Sequence, residues 1–454
     1  MSVQPSRSAD RLGCTFRRGE SEVVVVSIPG WRKRGWVRYR LAVVMMAAGV
    51  LAGCGSSSAP AGAPAGDLAS VLPTLDPTNG DGGMPDFYTR LPSSPDLLRR
   101  HGQMIRAEPL PAEFSLPGAG RAERILYSST NGLDGKTPVM VSGAVFLPRG
   151  TKPAGGWPVL AWAHGTVGFA DACAPSANKR SERDSAYLGH WLEQGYAVVA
   201  TDYQGLGTPG GHPYRAVRVG AYSVLDSVRA AGSADYGLAK KAALAGQSQG
   251  GAAVFEAAAQ AASYAPDVDL RGTVATGTNY VTPQTPKKID ANRVEAKLLA
   301  YEFLGLHLIA QVDPKFKPED VVTDRAKPVL ALTRTRCLSA IEARIEHDQL
   351  TPAAAFTLDP KHILALENVP PRFFTSLKVS KPLFMGTGGK DVDSPTDRQI
   401  QLFHDACAAG STIEQHLYPG LDHNATVTAS LADSTPFLRK VLTGEPVAGN
   451  CPKS

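Results

Sequence analysis

ALAGQSQGGAA, residues 243–253, is the stretch that decides the fold. It consists of a short apolar run, a serine between two glycines, and small residues that can open a helix. This order predicts a sharp turn from a strand into a helix, which lifts the hydroxyl of Ser248 above a parallel sheet. Strand and helix nearly touch at such a turn, so the residues on both sides of the serine must be small, as Gly246 and Gly250 are. Ser248 is therefore a candidate nucleophile, although a glycine-rich turn capped by serine has the same pattern.

Segments typical of strands and of helices alternate on both sides of this stretch. Continuous apolar runs, such as Pro158–Ala163 and Tyr196–Thr201, indicate strands whose two faces are covered by helices. The other predicted strands are residues 270–277, 382–387 and 413–419, and an antiparallel hairpin of residues 125–130 and 138–148 comes first. Crossover helices are expected at residues 181–195 and 217–231, and a closing helix at 425–442. The alternation predicts an α/β fold with a mostly parallel, doubly wound sheet, whose ligands bind at the carboxyl ends of the strands.

A long insertion interrupts this alternation after the sixth predicted strand. Residues 279–375 contain two segments with helical patterns, 293–311 and 339–350, and a structureless loop of this length would be unusual. We therefore expect a helical cap at 279–375 above a core formed by residues 86–278 and 376–454. Within the core, residues 86–122 show no clear period and are expected to form an irregular cover.

Two further residues can complete a catalytic site with Ser248. A serine hydroxyl needs a base within hydrogen-bond reach, and the base needs a third group to orient it. In this type of sheet the triad residues occur along the chain in the order serine, acid, histidine. Asp391 and His423 come after Ser248 in that order, and each follows a predicted strand. Asp393 competes with Asp391 as the acid, although Asp393 or Ser394 can equally cap the next helix. His416 and His404 compete with His423, but they fall within a predicted strand and a predicted helix.

Attack on a carbonyl group creates an oxyanion, which two preset N–H groups must stabilise. The backbone N–H groups of Gln249 and Thr166 are the candidates. His164 is expected to shape the loop that holds Thr166, and Asp202 to fix its own turn. No cofactor or metal is expected, because none of the cysteines in the body of the chain forms a C-x-x-C pair or has a histidine at ligand spacing.

The N-terminal part of the chain has the features of an export signal. Arg38-Tyr39-Arg40 precedes an apolar run of residues 41–51, which is too short to span a bilayer, and the run ends in Leu51-Ala52-Gly53-Cys54. This end resembles a bacterial lipobox, in which the cysteine is lipidated and becomes the first residue after cleavage. We expect a mis-annotated extension at 1–36, a lipoprotein signal peptide at 37–53, and lipidated Cys54 followed by a flexible tether to residue 85.

The charge and the cysteines agree with export. The net charge is only +5, and much of the excess lies before residue 50, so no nucleic-acid partner is expected. Exported chains use cysteines for disulfides, and the body contains Cys173, Cys337, Cys407 and Cys451. Spacing alone leaves three pairings open.

Several motifs together resemble the secretory lipase family of α/β-hydrolases. They are GQSQGG at 246–251, HGTVG at 164–168 followed by CAPS at 173–176, and DYQGLG at 202–207 followed by HPY at 212–214. The likeness runs from about residue 85 to 451. It implies an esterase or lipase with a helical cap, a triad of Ser248, Asp391 and His423, and the disulfides Cys173–Cys337 and Cys407–Cys451. The lipobox is a departure from the freely secreted members, so membrane anchoring depends on Cys54.

The function expected from these features is hydrolysis of carboxylic esters through an acyl-enzyme by a protein exported and anchored to a bacterial membrane. The expected partners are a small-molecule or lipid ester and the membrane that carries the anchor. A peptidase or an acyltransferase would use the same triad. A third alternative is a catalytically silent fold that serves as an anchored binding module.

Overall fold

The computed structural model describes residues 72–94, 96–285, 290–359, 362–363, 366 and 368–452. The expected extension, the signal peptide, Cys54 and the first part of the tether lie outside the described residues. The rest of the expected tether is in contact with the core. Leu72 is buried, and the Asp81 carboxylate accepts hydrogen bonds from the backbone N–H groups of Gly210 and Gly211.

The described residues contain one nine-stranded sheet with the order β1-β2-β3-β5-β4-β6-β7-β8-β9. The strands are β1 Met104–Pro109, β2 Ala119–Thr130, β3 Pro138–Pro148, β4 Trp157–Ala163, β5 Ala197–Thr201, β6 Leu238–Gln247, β7 Asp269–Thr276, β8 Leu383–Gly388 and β9 Ile413–Tyr418. The pairs from β1 to β3 and the β3–β5 pair are antiparallel, and all others are parallel. The carboxyl ends of β4 to β9 therefore meet at one edge of the sheet.

Helices cover both faces of this sheet, and further helices form the inserted segment after β7. They are α1 Asp86–Thr89, α2 Asp96–Arg99, α3 Glu182–Glu193, α4 Val217–Ser233, α5 Gln249–Tyr264, α6 Ala296–Val312, α7 Pro318–Val321, α8 Lys327–Thr333, α9 Leu338–His347, α10 Pro352–Ala355, α11 Thr396–Ala408, α12 Ala425–Ala429 and α13 Leu431–Thr443. Side chains alternate along β4, so Val159 and Ala161 pack with α4 and α5 while Leu160 and Trp162 pack with α3 and α13. The predicted α/β-hydrolase fold is confirmed.

The N-terminal cover differs from its expectation, because β1 and the first part of β2 lie within residues 86–122. β1 pairs with β2 at the edge of the sheet, where none of its residues is fully buried, so it lacks the apolar run that indicated the central strands. The insertion consequently follows β7, the seventh strand of the structure. The closing helix also differs: it is divided into α12 and α13 at Ser430, whose hydroxyl donates to the carbonyl oxygen of Val427 at 2.8 Å.

The inserted segment has an apolar core of its own. Leu299, Phe303 and Leu306 of α6 are buried against residues of α8 and α9. α6 is apolar on more than one face for this reason. A disulfide between Cys173 and Cys337 joins the start of α9 to the loop after β4, so the cap is covalently attached beside the strand ends.

Candidate active site

Ser248 lies between β6 and α5 with φ 60° and ψ −118°, a conformation that non-glycine residues rarely adopt. The surrounding backbone leaves no space for a side chain at the glycines two residues before and two residues after Ser248. A Cβ atom on Gly250 would lie 1.9 Å from the carbonyl oxygen of Ala163, and one on Gly246 would lie 2.2 Å from that of Gly250. The backbone N–H of Ser248 donates to the carbonyl oxygen of Thr276 at 2.9 Å. The serine is thus held in a strained turn at the carboxyl end of the sheet.

Asp391 and His423, which lie far apart in the sequence, form a buried hydrogen-bonded pair. The Nδ1 atom of His423 donates to the Oδ2 atom of Asp391 at 2.7 Å, and the two residues are 5% and 4% exposed. The backbone N–H of Ser394 donates to Oδ1 at 2.8 Å, and the Nε2 atom of Gln399 donates to Oδ2 at 2.8 Å. A neutral histidine that carries its proton on Nδ1 has a free acceptor on Nε2, as a general base requires.

The free acceptor of His423 belongs to a residue that lines the same cleft as the serine. Within the described part of the chain, the buried Nε2 atom of His423 has no hydrogen-bond partner. Ser248 and His423 line one cleft of about 610 Å³. Gly277, with φ +56°, makes room for the imidazole, since a Cβ atom there would lie 2.8 Å from Nδ1. The geometry brings the base and the candidate nucleophile to one cavity.

The competing residues have other partners. Asp393 forms an ion pair with Lys297 of α6. His416 lies on β9, where its ring stacks on Phe384 and its nitrogens face Glu414 and Asp433. The structure therefore places Asp391 and His423, rather than these neighbours, against each other. Gln399, which holds the Asp391 carboxylate, was missed in the sequence because nothing local connects a glutamine on α11 with the acid.

A chain of hydrogen bonds orients the side chains around Thr166 and Gln249. Burial lowers the pKa of His212 to about 4, so its ring is neutral at ordinary pH. Its Nδ1–H donates to the carbonyl oxygen of Gln204 at 2.9 Å, which leaves Nε2 to accept from the Nε2 atom of Gln249 at 2.9 Å. The Oε1 atom of Gln249 then accepts from the hydroxyl of Thr166 at 3.4 Å.

Tyr214 completes this chain. Its hydroxyl lies 3.0 Å from the Oγ1 atom of Thr166 and donates to it, because the Thr166 proton is directed to Gln249. Sequence reasoning used His212-Pro213-Tyr214 only as a motif and did not place it in the site. The chain fixes the two side chains whose backbone N–H groups are the candidate oxyanion donors. That role of Thr166 and Gln249 stays a prediction.

His164 and Asp202 are buried supporting groups. The Nδ1 atom of His164 lies 2.6 Å from the carbonyl oxygen of Gly165, and burial lowers the pKa of the ring. Asp202 accepts from the backbone N–H of Ser176 at 2.9 Å and from the hydroxyl of Ser142 at 2.8 Å, and burial raises its pKa. The Nε2 atom of His164 lies 3.2 Å from the carbonyl oxygen of Asp202, a contact that joins the ends of β4 and β5.

Two cavities of unequal size meet at Ser248. The cleft of about 610 Å³ extends below the start of α9. On the other side of Thr166 and Ser248 lies a narrow recess of about 30 Å³. Small residues at the starts of α4 and α5, among them Ala216, Gly220 and Ala252, line it together with the larger side chains of Tyr214 and Tyr301. The recess has room for a group of only a few atoms.

The structure contains both disulfides that the resemblance implied, Cys173–Cys337 and Cys407–Cys451. No cluster of three or more His, Cys, Asp or Glu residues that could hold a metal ion occurs in the described ranges. None of the helices described here has the length and apolar character needed to cross a lipid bilayer.

Comparisons with known proteins agree with this architecture. A family model described as secretory lipase matches residues 178–449. The chain is 29% identical over 187 residues to the "probable inactive lipase MT1628" of Mycobacterium tuberculosis, a match that covers 38% of this chain and 41% of the relative. The chain thus spans about two-fifths of that relative's length.

Two solved structures show the same fold. Candida antarctica lipase A in its closed state has a TM-score of 0.62 and 21% identity, covering 79% of this chain and 87% of the lipase. The rice cell wall degrading esterase LipA of Xanthomonas oryzae has a TM-score of 0.57 and 18% identity, covering 76% of this chain and 99% of the esterase.

Proposed function

We propose that this chain, which belongs to the secretory lipase family, hydrolyses carboxylic esters through an acyl-enzyme with Ser248, His423 and Asp391 as its triad. The observation that carries the proposal is the Asp391–His423 hydrogen bond of 2.7 Å, which leaves the Nε2 atom of His423 free at the cleft that the strained serine also lines. The family and the related folds support a hydrolase of the lipase and esterase type.

In the proposed mechanism, the Nε2 atom of His423 takes the hydroxyl proton of Ser248 as its oxygen attacks the ester carbonyl. The backbone N–H groups of Gln249 and Thr166 stabilise the oxyanion, and His423 then returns the proton to the leaving alcohol. A water molecule, deprotonated by His423, releases the acyl group in the second half of the reaction. Asp391 keeps the imidazole in the tautomer that both steps need.

The cavities indicate which ester fits. The narrow recess beside Ser248 can hold a short acyl group, whereas the larger cleft can hold the alcohol part. We therefore expect acetyl and other short acyl esters to be better substrates than palmitoyl esters. A series of 4-nitrophenyl esters from acetate to palmitate measures this preference.

Ser248→Ala tests the triad. The variant should lose about six orders of magnitude in kcat, since activity that survives loss of a serine nucleophile comes only from binding and the oxyanion donors. Thermal unfolding shows whether the variant is folded. Near wild-type hydrolysis of 4-nitrophenyl acetate by a folded variant would refute the assignment.

A catalytically silent protein is the second candidate, because the relative from Mycobacterium tuberculosis carries the name of a probable inactive lipase. A fluorophosphonate probe distinguishes the two functions. Covalent labelling at Ser248, absent in Ser248→Ala, supports an active hydrolase. Failure to label the folded wild-type protein supports the silent one.

We also propose that the protein is exported. The secretory family and the two disulfides are typical of an exported protein. Lipid anchoring at Cys54 stays a prediction from the sequence.

A further inference from the structure

The cleft beside Ser248 contains a buried arginine without an acceptor for its guanidinium group. Arg180 lines this cleft and is 8% exposed. Its Nε and Nη2 atoms are buried and have no hydrogen-bond partner among the described residues. Buried polar groups are normally hydrogen-bonded, and an unpaired buried charge is costlier still. The guanidinium therefore lacks an acceptor among the described residues, and Arg180 lines the cavity shared by Ser248 and His423.

The nearby acids do not supply that acceptor. Asp202 and Asp184 are close enough to interact with Arg180 electrostatically. The oxygens of Asp202 accept from the backbone N–H and the hydroxyl of Ser176 and from the hydroxyl of Ser142. Asp184 forms an ion pair with Arg183 at 2.8 Å. These carboxylates balance part of the charge of Arg180, but its buried N–H groups stay unbonded.

The Arg180 side chain is held in place by its surroundings. Its guanidinium carbon lies 5.5 Å from the ring centroid of Phe146 on β3. Two residues later α3 begins, with the hydroxyl of Ser181 accepting from the backbone N–H of Asp184 at 3.1 Å. The positive end of a twelve-residue helix therefore adjoins the cleft.

The other charges of the cleft leave it positive. Lys297 and Arg183 are paired with acids, whereas Lys179 is exposed at the cleft. Glu342 faces the cleft from α9, and burial raises the pKa of its carboxyl group. An anion that enters the cleft thus meets an unbonded guanidinium and an exposed lysine, with Glu342 as the opposing carboxyl group.

We propose that Arg180 binds a carboxylate carried by the substrate, in the part of the ester that occupies the large cleft. This inference rests on the proposed function, since it names the substrate class of the same site. The planar fork of a guanidinium matches a carboxylate through paired N–H···O bonds. With a short acyl group in the recess, the anionic group belongs to the alcohol portion. The preferred substrates are then short acyl esters of hydroxy acids.

Two esters that differ in one charge test this preference. 4-Acetoxybenzoate and its methyl ester have the same acetyl group, but only the first carries a carboxylate. Arg180→Gln should lower kcat/KM for 4-acetoxybenzoate about ten- to hundredfold, as expected for loss of charge-assisted hydrogen bonds, and should change the methyl ester far less. Arg183→Gln is the matched control, because Arg183 is a cation of the same cleft that already has its partner. It should leave the ratio of the two kcat/KM values unchanged.

A binding measurement separates the subsite from catalysis. Calorimetry with 4-hydroxybenzoate should show binding to the wild-type protein and about tenfold or weaker binding to Arg180→Gln. If the wild-type protein hydrolyses neither ester, the proposed function is refuted. The calorimetric measurement then still shows whether Arg180 binds a carboxylate. If Arg180→Gln does not fold, Arg180→Lys keeps the charge without the fork and should lose selectivity for the anionic ester. Equal losses on both esters, or no loss of 4-hydroxybenzoate binding, would overturn the proposal.

Discussion

Replacing Asp391 by asparagine distinguishes an orienting carboxylate from a structural one. In the structure Oδ2 accepts from His423 at 2.7 Å and from Gln399 at 2.8 Å, and Oδ1 accepts from the backbone N–H of Ser394 at 2.8 Å. Asparagine keeps one oxygen and gains an NH₂ group. If the NH₂ group faces His423, the Nδ1 atom must become the acceptor, and the proton moves to Nε2.

The expected loss follows from this change of tautomer. With its proton on Nε2, His423 cannot accept the proton of Ser248, and kcat should fall about 10⁴-fold, as in serine proteases with the same substitution. KM should change little, because Asp391 lies behind the histidine and does not line either cavity. The turnover of 4-nitrophenyl acetate measures kcat, and urea unfolding checks that the variant has kept its fold.

Asp393→Asn is the matched control, two residues away. Asp393 pairs with Lys297, whose side chain is 35% exposed. Loss of this pair leaves the Asp391–His423 hydrogen bond in place, so kcat should fall by less than about tenfold. The reasoning is refuted if Asp391→Asn keeps more than a tenth of the wild-type kcat, or if Asp393→Asn loses as much as Asp391→Asn does.

Two other predictions concern stability. Gly250→Ala would place a Cβ atom 1.9 Å from a backbone oxygen and should prevent folding. Gly232→Ala is the control, because the added atom in α4 has open space around it, and it should be neutral or stabilising by up to about 1 kcal/mol. Soluble yield and thermal unfolding compare the two variants, and a stable Gly250→Ala protein would contradict the described packing. Burial, and to a smaller degree a nearby arginine, lowers the pKa of His307 from 6.5 to about 3. Between pH 6.5 and pH 3 the histidine therefore takes up a proton in the unfolded chain but not in the folded chain. The free energy of unfolding decreases by up to about 5 kcal/mol as the pH falls through that range. His307→Gln should lose less stability between pH 7 and pH 4 in urea unfolding, and an unchanged pH dependence would show that the histidine is not buried in its neutral form.

Short-range patterns indicated the candidate nucleophile and the chain order of the candidate site residues. The glycines around Ser248 are required by contacts within one strand-to-helix turn, so their signal is local. Apolar runs followed by polar residues marked the strand ends that carry Thr166, Asp391 and His423. Because parallel strands place their carboxyl ends at one edge, chain order alone was enough to predict that these residues converge.

The choice between neighbouring candidates needed the tertiary structure. Asp391 and Asp393 both follow β8, and only the path of the backbone decides which carboxylate faces His423 and which faces Lys297. Edge strand β1 also escaped prediction, since its pairing with β2 depends on a partner rather than on its own pattern.

The sequence by itself determined the fold class, the serine turn and the residues that can form a triad, because each is encoded by periodicity, glycine placement and order along the chain. Only the tertiary structure decided what surrounds them. Gln399, the hydrogen bonds of His212, the unpaired guanidinium of Arg180 and the unequal cavities all arise where segments distant in sequence pack together. Such contacts depend on close packing across the whole domain, and no local pattern specifies them.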